Sequence, residues 1–411
     1  MFTNKIKHNF SILDLGLIIC MFMLISIGLI SIYSATSGQI GELASNNFQR
    51  QVYWLCFGII LFIPAILINS KLYMALAYVF YGFIMLALIV VLIKGISGGG
   101  AARWLSAGGL RFQPSEWAKL ATIFALARFL TDHHDKLDDK RTLLILAGLG
   151  ILPFILIFKQ PDLGTSLVFI AIIPAMLFWA GVSPLILLLT FIPGLTMLAS
   201  FELWSFSLIM GILLIVLFFA SRNMIFTFGH IVLNIFVGVI TPFLWNSLEA
   251  YQQKRVLSFL GIVSDPKGIS YQVIQSKVAI GSGGITGKGF LEGTQTQLRF
   301  LPEQHTDFIF SVIGEEFGIL GCITVIVLFV LLISRGIQVA SNVKNRFSSL
   351  VVIGITTMIL YHYFVNLGMV MGLMPVTGLP LPFISYGGSF LNTCMVSIAL
   401  ILNFSLRRHE Y

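Results

Sequence analysis

The sequence predicts an all-α, polytopic membrane protein, and three observations carry that expectation. Apolar residue types make up 57% of the 411 residues, whereas only 10% are charged. The mean hydropathy is +0.95, more apolar sequence than the interior of a water-soluble domain can bury. The apolar residues also come in runs of about 20, the length of helix that crosses a hydrocarbon core of roughly 30 Å.

About 12 such runs follow one another. The first, about 13–35, has no small-residue cleavage site after it and reads as a span rather than a removable signal. Runs at 51–70 and 72–94 come next, then a polar stretch, Gly98 to Lys119, reading GGGAARWLSAGGLRFQPSEWAK. Gln113-Pro114 ends it in extended backbone, and Ser115 can cap the run at 115–131. The mixed-sign connection DHHDKLDDKR leads to a run at 141–158, and KQPDLGT, where Asp162 can cap the next helix, to one at 163–181. Runs at 184–200 and 204–221 form a hairpin whose only acid is Glu202, and 224–245 follows. After a long polar segment the last three runs are 308–334, 348–369 and 383–405.

The net charge of +8 is spread over short loops, which argues against a nucleic-acid surface. Lys5, Lys7, Lys71, Arg222, Arg335, Lys344, Arg346, Arg407 and Arg408 fit as inner-face orientation signals. Both termini are then cytoplasmic, and the 246–307 segment is a large extracytoplasmic loop. Cys20, Cys56, Cys322 and Cys394 lie in apolar runs without CxxC spacing and read as small core residues. With no soluble domain, nucleotide signature or repeat, residues 1–411 form one integral membrane domain.

Polar chemistry gathers at the outer side. Thirteen charged residues, about a third of the total, lie between Trp245 and Phe317. Six of the thirteen residues from Gly281 to Gly293 are glycine, so the backbone there can turn tightly and approach a ligand. LPEQHTDFIF then brings Glu303, His305, Thr306 and Asp307 to the entrance of a membrane helix, where such groups point to chemistry or transport. A helix starting near Thr306 would put Asp307 in its first turn, where the dipole favours the ionised form. An ionised carboxylate can act as a general base; the alternative is a plain helix cap. Glu315 and Glu316 would lie about 12–14 Å deeper and need a cation or hydrogen bonds. Glu116 and Lys119, three apart, can pair with each other, or Lys119 and Arg103 can face an anionic substrate. The segment Asn366 to Ser389 is rich in proline and glycine and should line a cavity rather than meet lipid.

PDLGTS at 161–166, GSGG and GKG within 281–289, LPEQHTDFIF at 301–310 and GLMPVTGLPLPFISYGGS at 372–389 resemble, in order, the SEDS family (shape, elongation, division and sporulation). The GTQTQL and PVTGLPLPF forms resemble its RodA, cell-elongation branch. The resemblance implies a peptidoglycan glycosyltransferase of the bacterial inner membrane that polymerises lipid II at the outer face, beside a class B penicillin-binding protein. It implies Asp307 as the catalytic residue, and Arg103, Trp104, Glu116, Lys119, Asp162, Lys277, Glu303 and Ser385 as substrate-site positions. The family's core is ten membrane helices, so the hairpin at about 184–221 is a departure. No cofactor or metal site is required by the sequence; a divalent cation at the pyrophosphate is the further candidate. The rival expectation is a lipid II flippase that uses its buried acids as a proton relay.

Overall fold

The computed structural model describes residues 14–37, 42–98, 101–107, 110–137, 139–220, 224–248, 250–259, 269–298 and 300–409. Lys5, Lys7 and Arg222 of the orientation argument lie outside them. Each apolar run is a helix: α1 (Leu15–Ser37), α2 (Glu42–Leu67), α3 (Ser70–Lys94), α4 (Pro114–Asp132), α5 (Lys140–Phe158) and α6 (Leu163–Trp179). Then come α7 (Pro184–Ala199), α8 (Leu203–Ala220) and α9 (Met224–Asn246). The polar stretch folds into short helices α10 (Ala250–Phe259), α11 (Ile269–Ser282) and α12 (Thr294–Gln297), and the chain ends with α13 (Ile309–Asn342), α14 (Arg346–Val370) and α15 (Gly388–Leu406). Between α3 and α4, β1 (Ile96–Gly98), β2 (Ala101–Ala107) and β3 (Leu110–Phe112) make an antiparallel meander.

Among the described residues, seven helices are long and apolar enough by themselves to cross a membrane, and α6 to α9 supply shorter apolar segments. The protein is a multi-pass helical membrane protein. α4 carries Glu116, Lys119, Arg128 and Asp132, yet both charges in its first half are buried, paired inside the protein. Three boundaries differ from the sequence reading, the first being α2, which begins at Glu42 rather than 51. α13 continues to Asn342, as its polar end runs on past the apolar stretch, and α15 begins at Gly388 because residues 371–387 are held as a loop. Pro114 occupies the first turn of α4 with Gln113 as its cap, so Ser115 does not cap; its hydroxyl accepts from the Gln113 amide at 3.1 Å.

The chain divides into two compact units, residues 1–176 with 255–411, and residues 177–254. In the larger, α15 is the central post, with 94% of its span buried. α2 closes on it where Gly58 faces Met395 and Gly388 faces Trp54. In the smaller, α7, α8 and α9 pack on Leu189, Ile192, Leu213 and Leu217, and the Thr196 hydroxyl donates to Asn234 at 2.7 Å.

The feature that positions the site is a break in α13. Gly318 has φ 63° and ψ −159°, outside the helical region and open chiefly to glycine. The backbone groups freed by the break are taken up by the glycine-rich turn 283–289. Lys288 and Gly289 donate to the Glu315 and Glu316 carbonyls at 3.0 and 3.1 Å; Ile319 and Leu320 donate to the Gly284 and Ile285 carbonyls at 3.0 and 3.2 Å. A Cβ on Gly287 would fall 2.1 Å from the Glu316 carbonyl oxygen. The glycines thus serve contact between two backbones, not approach to a ligand. Irregular backbone at membrane depth persists here because protein satisfies it.

Candidate active site

Asp307 stands just before α13, whose cap position is Phe308, with no side-chain capping bond. It is therefore not in the first helical turn, and the dipole argument for its ionisation does not apply. Its backbone is held from two sides. The Asn366 amide donates to the Asp307 carbonyl at 2.9 Å and to the Leu379 carbonyl at 2.8 Å. The Ser385 hydroxyl donates to the Thr306 carbonyl while accepting from the Leu381 amide at 2.8 Å, and the Tyr386 amide donates to the His305 carbonyl at 2.9 Å. The proline-rich loop is thus the clamp that fixes the turn carrying Asp307.

The carboxyl of Asp307 is pushed up to about 6, first by burial and then by the negative charge of Glu303; Arg255, a hydrogen bond from Thr306 and Arg103 pull the other way. Burial also holds His305 below its ordinary range, against the pull of Glu303. Gly378 keeps the space between acid and cation open: a Cβ there would lie 3.4 Å from Asp307 Oδ2 and 3.8 Å from Arg255 Nη1. Arg255 donates to the Thr377 carbonyl at 3.0 Å. On its other side lies a cavity of about 200 Å³ lined by Arg255, Lys277, Gly372, Pro375 and others. An acid titrating near neutrality therefore sits beside a pocket holding two cations.

The remaining sequence candidates fall into two groups. Arg103, on β2 next to the half-buried Trp104, donates to the Pro161 carbonyl at 2.9 Å and lies 3.6 Å from Asp162. Asp162 also accepts from the Thr165 amide at 3.3 Å, the helix-capping role expected of it. Arg103 and the exposed Glu303 act on the Asp307 carboxyl through their charges, Lys277 lines the pocket and the buried Ser385 holds the turn; Asp162 stands behind Arg103. Glu116 and Lys119 are buried and pair with each other. Lys119 is fully buried, 2.7 Å from Glu116 and 3.0 Å from His362 Nε2, with Nζ over the Phe390 ring. The other nitrogen of His362 is 3.3 Å from the Pro380 carbonyl, so it donates there and Nε2 accepts from Lys119. The buried pair thus braces the proline-rich loop.

Three contributors, Arg255, His362 and Asn366, go unremarked in the sequence reading. His362 and Asn366 are polar residues four apart in an apolar run, hence on one helix face, and that spacing was the available signal. Of the two deep acids, Glu315 is structural, while Glu316 has one buried oxygen, Oε2, without a side-chain partner. Glu315 accepts from Lys288 at 2.7 Å, from the Gln295 and Thr296 amides at 2.8 and 3.0 Å, and from the Thr296 hydroxyl. Glu316 accepts from Ser34. Glu315, with so many fixed donors, is a strut, which does not favour the proton-relay reading. Among the described residues, no three His, Cys, Asp or Glu side chains gather as a metal-ligand set.

The chain is similar to known proteins over nearly its whole length. Peptidoglycan glycosyltransferase MrdB of Escherichia coli (strain K12) is 34% identical over 397 residues, covering 96% of this chain and 94% of that protein. Peptidoglycan glycosyltransferase RodA of Treponema pallidum (strain Nichols) is 33% identical over 426 residues, covering 96% and 98%. Among solved structures, a chain from work on structural coordination of polymerization and crosslinking by a peptidoglycan synthase complex superposes with a TM-score of 0.72. It is 30% identical, with 97% and 99% coverage. Rod shape determining protein RodA of Thermus thermophilus gives 0.64 at 25% identity, with 97% and 98% coverage. The cell cycle protein family FTSW_RODA_SPOVE matches residues 15–208 and 183–410, two stretches that overlap within α7 and α8 and together span nearly the whole chain. On its fold, its motifs and this match, the chain belongs to the FtsW, RodA and SpoVE family.

Proposed function

We propose that this protein is a peptidoglycan glycosyltransferase that polymerises lipid II at the outer face of the bacterial inner membrane, with Asp307 as general base. The observation that carries the assignment of the base is the Asp307 carboxyl, raised to about 6 beside the Arg255 and Lys277 pocket. A base titrating near the working pH combines a populated ionised form with a useful affinity for the proton.

In this reading the acceptor's sugar 4-hydroxyl meets Asp307 from the outer side. The carboxylate takes the proton as the oxygen attacks the anomeric carbon of the donor; the bond from that carbon to the pyrophosphate oxygen breaks, and polyprenyl pyrophosphate leaves. A single displacement inverts the anomeric carbon. Arg255 and Lys277 offset the charge growing on the leaving group, the form of electrostatic stabilisation that matters most as charge develops. Arg103, held by Asp162 and Pro161, adds positive potential at the same mouth. Glu116 and Lys119 act at one remove, through His362 and the loop. A divalent cation at the pyrophosphate would share in offsetting its charge; among the described residues no three His, Cys, Asp or Glu side chains gather to hold one.

The likeness to a chain from a peptidoglycan synthase complex supports a class B penicillin-binding protein in the same membrane as the partner, with both termini of this chain on the cytoplasmic side. The test is glycan polymerisation from purified lipid II by the purified protein, with and without that partner. Polymer that disappears with Asp307→Asn supports the proposal. Transport of lipid II across vesicles without polymer formation would sink it.

A further inference from the structure

A second cavity, of about 110 Å³, lies at the other end of the larger unit, lined by Asp14, Arg335, Gln338, Asn342, Ser405 and Arg408 among others. Arg335 is 26 residues beyond the start of α13, about 39 Å along the helix from the Asp307 turn at ~1.5 Å per residue. That is close to the distance between the two headgroup layers of a bilayer. The cavity therefore opens at the headgroup level of the leaflet opposite the catalytic face.

Its charges are unlike those of Arg407 and Arg128 at the same end. Arg407 is consumed by backbone carbonyls, donating to Ile66, Leu67 and Ile68, and Arg128 is bound to Met74, Ala75 and Asp132. Arg335 and Arg408 have only neutral partners, Gln338 at 3.1 Å and His409 at 3.2 Å. Among the described residues neither lies within 4.0 Å of a carboxylate, Asp14 included. Two guanidiniums and the Asp14 carboxylate face this one small polar cavity, so positive charge is in excess there and attracts an anion. Guanidinium geometry matches phosphate oxygens in particular.

We propose that this cavity binds the phosphate of an anionic phospholipid headgroup in the leaflet opposite the active site, Arg335 and Arg408 holding the phosphate oxygens. Asp14 accepts from a hydroxyl at the outer end of the headgroup. The site anchors the ends of α1, α13 and α15 to the membrane surface, independently of the polymerase reaction.

The test uses the full-length protein in neutral detergent, with native mass spectrometry reading the binding of dioctanoyl phosphatidylglycerol. The R335Q/R408Q protein should bind about tenfold or more weakly, since a charged hydrogen bond to phosphate is worth about a factor of ten. K71Q removes a charge from the same end of the bundle outside the cavity and should bind like the wild type. Inorganic phosphate is the second arm: competition by it identifies a free phosphate as a ligand of the same arginines, and failure to compete identifies the lipid. Equal binding by R335Q/R408Q, or an equal loss in K71Q, overturns the proposal. Should the double variant fold poorly, R335Q and R408Q made singly should each bind dioctanoyl phosphatidylglycerol more weakly than the wild type; unchanged binding in both overturns the proposal as well.

Discussion

Replacing Asp307 by Asn separates chemistry from stability, and the structure gives both expected effects a sign. The folded carboxyl is raised from 3.8 to about 6, a difference of roughly two units, or ~3 kcal/mol at about 1.36 kcal/mol per unit. The group is only partly enclosed, so screening reduces this to about 1–2 kcal/mol. A folded value above the unfolded one means stability that is complete below about pH 4 and lost as pH rises through about 6. Asn does not ionise, so Asp307→Asn should match the wild type near pH 4 and exceed it by about 1–2 kcal/mol at pH 8, read as a higher unfolding midpoint. Polymer formation should fall by ~10²–10⁴-fold, the usual contribution of a general base. The wild-type rate should itself decline as pH drops through about 6, where the base becomes protonated. If Asp307 were only a helix cap, Asn would be active and no more stable. Wild-type polymer yield from the variant, or lower stability at pH 8, would falsify the assignment.

Further outcomes follow from the clamp, the pocket and the break. Arg255→Gln removes a charge that lowers the Asp307 carboxyl, so the acidic limb of the pH–rate profile should move upward and the KM for lipid II should rise; an unmoved limb argues that Arg255 acts elsewhere. Lys119→Met strands Glu116 in the interior and should cost ~3–5 kcal/mol, with Glu116→Gln added to it recovering part of the loss in a double-mutant cycle. Independent costs would mean the pair does not act as a unit. Gly287→Ala drives a Cβ against the Glu316 carbonyl at 2.1 Å and should destabilise by several kcal/mol, of the order of 3 or more. A normal unfolding midpoint for purified Gly287→Ala protein would refute the packing described for the turn.

The helices were legible because a membrane allows one main solution to a long apolar run, and α1 to α9 and α13 to α15 fall where those runs stand. Asp307 was legible because a carboxylate at a helix entrance in lipid is costly without a use. Less could be read where the residue type is ambiguous. The glycines of 281–293 signal close approach, but the partner is the backbone of α13, more than 25 residues onward. Lys119 carries the same charge whether it faces an anion or is buried against Glu116, and only the fold decides. Arg255 stands beside Lys254 in a charged stretch, so nothing local marks it as the neighbour of Asp307.

The seam between the glycine turn and α13 has a consequence for how this polar region behaves as material. Surface loops ordinarily tolerate added or missing residues, which makes them places to attach tags or to accept drift in length. Here four amides and four carbonyls are matched one to one across the break. A single inserted residue would put every match on one side out of step. The most glycine-rich part of the chain is therefore a fixed joint, and the catalytic turn is built on a stiff footing.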